Sequence, residues 1–178
     1  MKHGFDAQAV RDLLDELARR LEERGVRGTI RVAGGAAMLL HFPDDPAVRV
    51  TRDIDALIEP SDEIEAVVTE MAVDLGLPSR WLNAAGRSWF RVEARDTGAP
   101  VAVTVATERE LIAMKLAAVR DKDFVDLGIL ARHLGITEPE ELVRIAYEVY
   151  GDDAVELPDG RESYLWYAQS VIDDVRGR

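Results

Sequence analysis

The sequence predicts a small mixed β-sheet covered by helices, of the α/β and more narrowly the α+β class, with further helices at its C-terminal end. Short β-branched, alternating runs lie between stretches whose apolar residues recur at helical spacing. Strands and helices alternate as far as residue 105, and only helical patterns follow. A mixed sheet with helices packed on it is the simplest layer arrangement for that order.

Asp6 is placed to cap a helix running to about Glu23, with Val10, Leu13, Leu14, Leu17 and Leu21 on its apolar face. Gly25 ends it. Thr29 to Ala33 alternates and is β-branched, which predicts a strand. Gly34-Gly35 then turns the chain into a short helix over 36–41. Asp53 to Ile58 is the second strand, and a helix over 62–75 carries Ile64, Val67, Val68, Met71 and Leu75. Residues 88–94 and 101–105 read as two strands of a hairpin turning at Asp96-Thr97-Gly98. Thr107 and Glu110 have the spacing of a capping box. One long helix is expected to follow, to about Leu134. Further capped starts at Thr137 and Asp159 open two more helices. Tyr164, Trp166 and Tyr167 read as packing residues or part of a partner surface.

At 178 residues, the chain is one domain or a domain with a helical appendage. The absence of cysteine excludes disulfides, thiolate metal sites and cysteine nucleophiles, and fits a cytoplasmic protein. No apolar run approaches the length of a membrane span, and the N-terminus has no apolar leader core. A net charge of -12 opposes non-specific nucleic-acid binding over the whole surface. Arginines at 49, 52, 87, 91 and 95 leave room for a local basic patch, or for ordinary solvated strand faces.

The chemistry concentrates between residues 31 and 58. Asp53 and Asp55, two apart on a strand, point to one face. Two such charges about 6 Å apart repel by about 3 kcal/mol at an effective dielectric of about 20. A fold has no use for that repulsion in its core, so the pair points to a bound cation. Gly34 and Gly35 allow backbone N–H groups to approach an anion at a helix start, or merely permit a tight turn. No Gly-Lys-Ser/Thr and no GxGxxG follows, which excludes the P-loop and dinucleotide fingerprints. Lys115 interrupts an apolar, small-residue stretch. On a continuous helix it shares a face with Asp126, flanked by Asp123. It is either a lysine at a helix edge or part of a site. Asp123 and Asp126 are part of that site, a polar helix face, or partners of Arg120, Lys122 or Arg132.

A strand, Gly-Gly, a short helix and Asp-x-Asp on the next strand together resemble the polymerase-β type of nucleotidyltransferase fold. The later segment, a glutamate-rich start, then Lys115 and Arg120 through Leu127, looks like the AbiEii-like branch, which includes toxins of toxin–antitoxin pairs. The resemblance implies a nucleotidyltransferase-like core over 1–135 and a C-terminal helical extension over 136–178 packed on it. It implies phosphate and nucleotide contacts from Gly34, Gly35, Arg52, Lys115 and Asp123. Asp53 and Asp55 would hold Mg²⁺, and Asp53, Asp55, Lys115 and Asp126 would form the catalytic set. The expected partners are a nucleoside triphosphate, an RNA or protein acceptor, and a cognate toxin or antitoxin, with no membrane. Two departures stand out. Gly35 replaces a serine that many active members carry, and the 101–105 strand lacks a third acid. Glu93 is the nearest substitute. These departures keep a second implication open: a catalytically weak member that acts by binding a partner protein.

Overall fold

The structure is a computed structural model that describes residues 4–91 and 98–177. The chain divides into two compact units, residues 1–106 and 107–178.

The first unit holds helix α1 (Ala7–Glu23), strand β1 (Gly28–Val32), helix α2 (Gly34–His41), strand β2 (Ile54–Glu59), helix α3 (Ser61–Asp74), strand β3 (Leu82–Asn83), a 3-10 helix (Ala84–Trp89) and strand β4 (Val101–Val105). The sheet order is β3-β2-β1-β4. β1 runs antiparallel to β2 and parallel to β4, while β2 and β3 are parallel, so the sheet is mixed. The fold is therefore of the expected small α+β class.

Helix α1 starts as its sequence predicts, with the Asp6 carboxylate accepting from Ala9 N at 2.8 Å. Its stripe Val10, Leu13, Leu14, Leu17 and Leu21 is buried, as are Ile30 and Val32 of β1 and Ile54, Ala56 and Ile58 of β2. α3 contributes Ile64, Val67, Val68 and Met71 to this core. Trp81 closes one end, fully buried, its indole N–H donating to Val68 O at 3.1 Å.

Among the described residues, the first strand of the predicted hairpin of 88–94 with 101–105 is not seen. Residues up to Trp89 belong to the 3-10 helix, and β4 pairs in parallel with β1. Asn83 starts this turn by accepting from Ala85 N at 2.9 Å. Gly86 lets it lie directly on β2, for a Cβ there would stand 2.8 Å from the backbone of Ala56. The rest of the predicted hairpin, including Glu93 and Arg95, lies outside the described residues.

The second unit is helical: α4 (Glu108–Ala118), α5 (Asp121–Leu134), α6 (Pro139–Tyr150) and α7 (Gly160–Arg176). The Thr107 capping box forms in full. No side-chain cap forms at the starts of α6 and α7, so Thr137 and Asp159 do not act as predicted; Pro139, which has no N–H to satisfy, opens α6 instead. Among the described residues, no helix is long and apolar enough to cross a membrane.

The single long helix expected over 107–134 is two helices. Val119 takes φ 45 and ψ 46, the left-handed region, and Arg120 is extended. That conformation is costly for a β-branched residue. Three contacts hold the break: Arg120 Nε donates to Asp123 at 2.5 Å, Tyr167 Oη donates to Arg120 O at 3.3 Å, and Lys115 Nζ donates to Asp126 at 2.5 Å.

Candidate functional site

In the first unit β1 delivers the chain to Gly34, whose φ of +61 suits glycine and few other residues. α2 begins there, and no side chain caps its first backbone N–H groups. A Cβ at Gly34 would stand 2.8 Å from Asp55 Oδ2. The glycine turn and the second aspartate are thus fitted to each other, and any side chain would displace the carboxylate. A Cβ at Gly35 would stand 3.3 Å from Thr51 Oγ1. A hydroxyl therefore already stands beside Gly35. That hydroxyl donates to Asp53 O at 2.8 Å and ties the turn to the acid segment.

Asp55 lies on β2, half-buried, while Asp53 is exposed in the bend before it, next to exposed Arg52. Ala33 N donates to Asp55 O at 2.8 Å, so sheet pairing extends from β1 to the acid itself. Asn83 Nδ2 donates to Asp53 Oδ2 at 3.3 Å. Sequence reasoning missed both Thr51 and Asn83. Neither residue has a motif around it.

The donors offered by Asp53 and Asp55 are carboxylate oxygens only, the type that Mg²⁺ takes. With glycine at position 34, no side chain crowds Asp55 Oδ2, which a Cβ there would approach to 2.8 Å. Among the described residues, no three His, Cys, Asp or Glu side chains gather to hold a metal. A hard cation here would complete its shell with ligand oxygens and water.

The second unit gathers Lys115, Asp123 and Asp126. Lys115 Nζ lies 2.5 Å from Asp126 Oδ2 and 3.4 Å from Asp123 Oδ1. All three are buried, at 4%, 1% and 8% exposure for Lys115, Asp123 and Asp126. Arg120, itself largely exposed, pairs with the other Asp123 oxygen. The lysine is therefore not a solvated lysine at a helix edge. Its pairing also differs from the expected geometry. On a continuous helix, eleven residues separate the groups by roughly 16 Å along the axis. The break at Val119 folds α5 back beside α4 and makes contact possible. Nearby, burial and the negative charges of Asp123, Asp121 and Asp126 push the Tyr167 phenol up to about 12.

The structure thus joins Gly34 to Asp55 in one unit and Lys115 to Asp123 and Asp126 in the other. Neither a curated protein nor a solved structure matches the chain. A family model does: nucleotidyltransferase of unknown function (DUF6036) matches residues 10–149. That span includes the glycine turn, both strand aspartates and the helices bearing Lys115 and Asp126, and the chain belongs to this nucleotidyltransferase family.

Proposed function

We propose that the protein is a Mg²⁺-dependent nucleotidyltransferase acting on a nucleoside triphosphate. The observation that carries this reading is the fit of Gly34 to Asp55: a positive φ at a helix start, with a carboxylate where a side chain would otherwise be. Gly34 and Gly35 bind triphosphate oxygens through backbone N–H groups, with Arg52 at the rim. Asp53 and Asp55 hold Mg²⁺, which when bound supplies neutralising charge to the triphosphate. An acceptor hydroxyl then forms a bond to the α-phosphorus, and the bond to the departing pyrophosphate breaks. The protein contributes position and fixed charge, as in phosphoryl transfer generally.

Lys115 has a reduced part in this reading. Two of its three donors are directed at Asp126 and Asp123. It orders the α4–α5 turn. Asp123 and Asp126 act through it. The acceptor is an RNA end or a protein hydroxyl. Placement in the AbiEii-like branch, and a role in a toxin–antitoxin pair, rest on the glutamate-rich start of α4 and the Lys115 to Leu127 pattern.

The test combines binding and transfer. Calorimetry is expected to show triphosphate binding that needs Mg²⁺ and is lost in Asp53→Ala. Unchanged binding in that variant would sink the site assignment. Incubation with labelled triphosphates, Mg²⁺ and cell extract is expected to label RNA or protein, and Asp55→Ala to abolish it.

One observation favours a second reading, a weak or inactive member that acts by binding a partner protein. β4 (Val101–Val105) supplies no third acid beside β1. Triphosphate binding with no label transferred to any acceptor would select it.

A further inference from the structure

The third polar group at the paired aspartates comes from β3, not from β4. β2 and β3 run in parallel with Asp55 opposite Asn83. The Asn83 amide makes two contacts of opposite sense. Its Oδ1 accepts from Ala85 N at 2.9 Å, and its Nδ2 donates to Asp53 Oδ2 at 3.3 Å. The orientation is fixed by chemistry: the Ala85 N–H can only donate, and an ionised carboxylate can only accept. Ala85 is itself held because the adjacent Gly86 packs on the backbone of Ala56. A rigid piece of β2 therefore anchors the 3-10 helix, which anchors Asn83, which reaches back to the acid at the start of β2.

We infer that Asn83 is a positioning residue for Asp53, holding its carboxylate in the orientation that binds the cation of the Asp53–Asp55 site. The inference rests on the metal-binding reading above and names a residue that reading does not contain. A donor on Oδ2 restricts rotation of the Asp53 side chain before the ion arrives. It also lowers the cost of bringing two carboxylates together without adding a third negative charge. Partners of this kind orient the ligating group, and they act on affinity without touching the ion.

Mn²⁺ serves as the probe, with binding read by electron paramagnetic resonance on the full chain without nucleotide. Asn83→Ala removes both contacts. Asn83→Ser keeps a short acceptor for Ala85 N–H, as serine does at turn starts, but cannot reach Asp53. Both variants are expected to weaken Mn²⁺ binding about tenfold, the lower end of what outer partners of metal ligands contribute. A purely structural role predicts loss in Asn83→Ala alone, tracking its melting temperature, with Asn83→Ser behaving as the parent. In the metal-free protein, the Asn83 side-chain ¹H–¹⁵N signals are expected to shift in Asp53→Ala. Parent-like Mn²⁺ affinity in Asn83→Ser, or Asn83 signals indifferent to Asp53→Ala, overturns the inference and leaves the metal site standing. Failure of the parent protein to bind Mn²⁺ with Asn83 signals still responsive to Asp53 overturns the metal reading itself, and the inference with it.

Discussion

The two units each gather aspartates, and they treat them in opposite ways. In the first, Asp53 is exposed and Asp55 half-buried, and a backbone glycine stands where a side chain would cover the second acid. In the second, Asp123 and Asp126 are buried against a lysine that the chain itself provides. Removing charge from water is costly, and a buried ion pair tolerates loss of one partner poorly. The second cluster therefore behaves as architecture. The first keeps its charge at the surface, where an external cation can answer it.

Lys115→Met tests that contrast with the largest expected effect. It leaves Asp126 buried with its cation gone, while Asp123 retains Arg120. The expected cost is about 3–5 kcal/mol, read as a shift in the urea unfolding midpoint. Asp53→Ala, on an exposed side chain, is expected to stay within about 0.5 kcal/mol of the parent. Equal midpoints for the two variants would dissolve the distinction between the regions.

Gly34→Ala sharpens the other side of the comparison. Alanine at φ +61 is strained wherever it stands, and its Cβ meets Asp55 Oδ2 at 2.8 Å. About 1–3 kcal/mol of destabilisation is expected, measured by thermal unfolding. The strain and the clash separate in a double variant. With Asp55→Ala also present, the clash disappears and only the backbone strain remains, so the pair should cost less than the sum of the singles. Strict additivity would show that the glycine serves the turn alone and that its fit to the acid is incidental.

What the sequence revealed of these regions follows from how local each one is. Gly34-Gly35 after a strand and Asp53-Ile54-Asp55 at the start of the next are short motifs, and their placement depends on a few backbone angles. They were legible. Asn83 was not, because its meaning arises only when β3 lies in parallel beside β2, a fact of topology. Lys115 and Asp126 were paired by the wrong geometry. Helical periodicity continues through Val119, and a valine carries no mark of a left-handed turn, so the pattern promised one helix where tertiary contacts hold two. The alternating character of the segment from Ser88 misled for a related reason: with Gly86 packed on β2, the chain through Trp89 is a 3-10 helix, whatever its strand propensity.

The smallest predicted effect is also a direct probe of the negative charge stored in the second unit. Tyr167 packs edge-on to Phe124, and burial together with Asp123, Asp121 and Asp126 raises its phenol from an ordinary 10.0 to about 12. A raised pKa means that the folded chain holds the proton more tightly than the unfolded chain. The associated stability is fully present below about pH 10 and is lost as the pH rises through about 12. Absorbance at 295 nm, taken as the difference between the parent and Tyr167→Phe, should therefore show a midpoint near 12. Because three carboxylates contribute, Asp126→Asn should move that midpoint down toward the ordinary value while burial keeps it above. A midpoint indifferent to Asp126→Asn would mean that Lys115 already cancels the charge of that carboxylate as felt at the phenol. The second cluster would then be electrically closed, in contrast to the solvent-exposed carboxylate of Asp53.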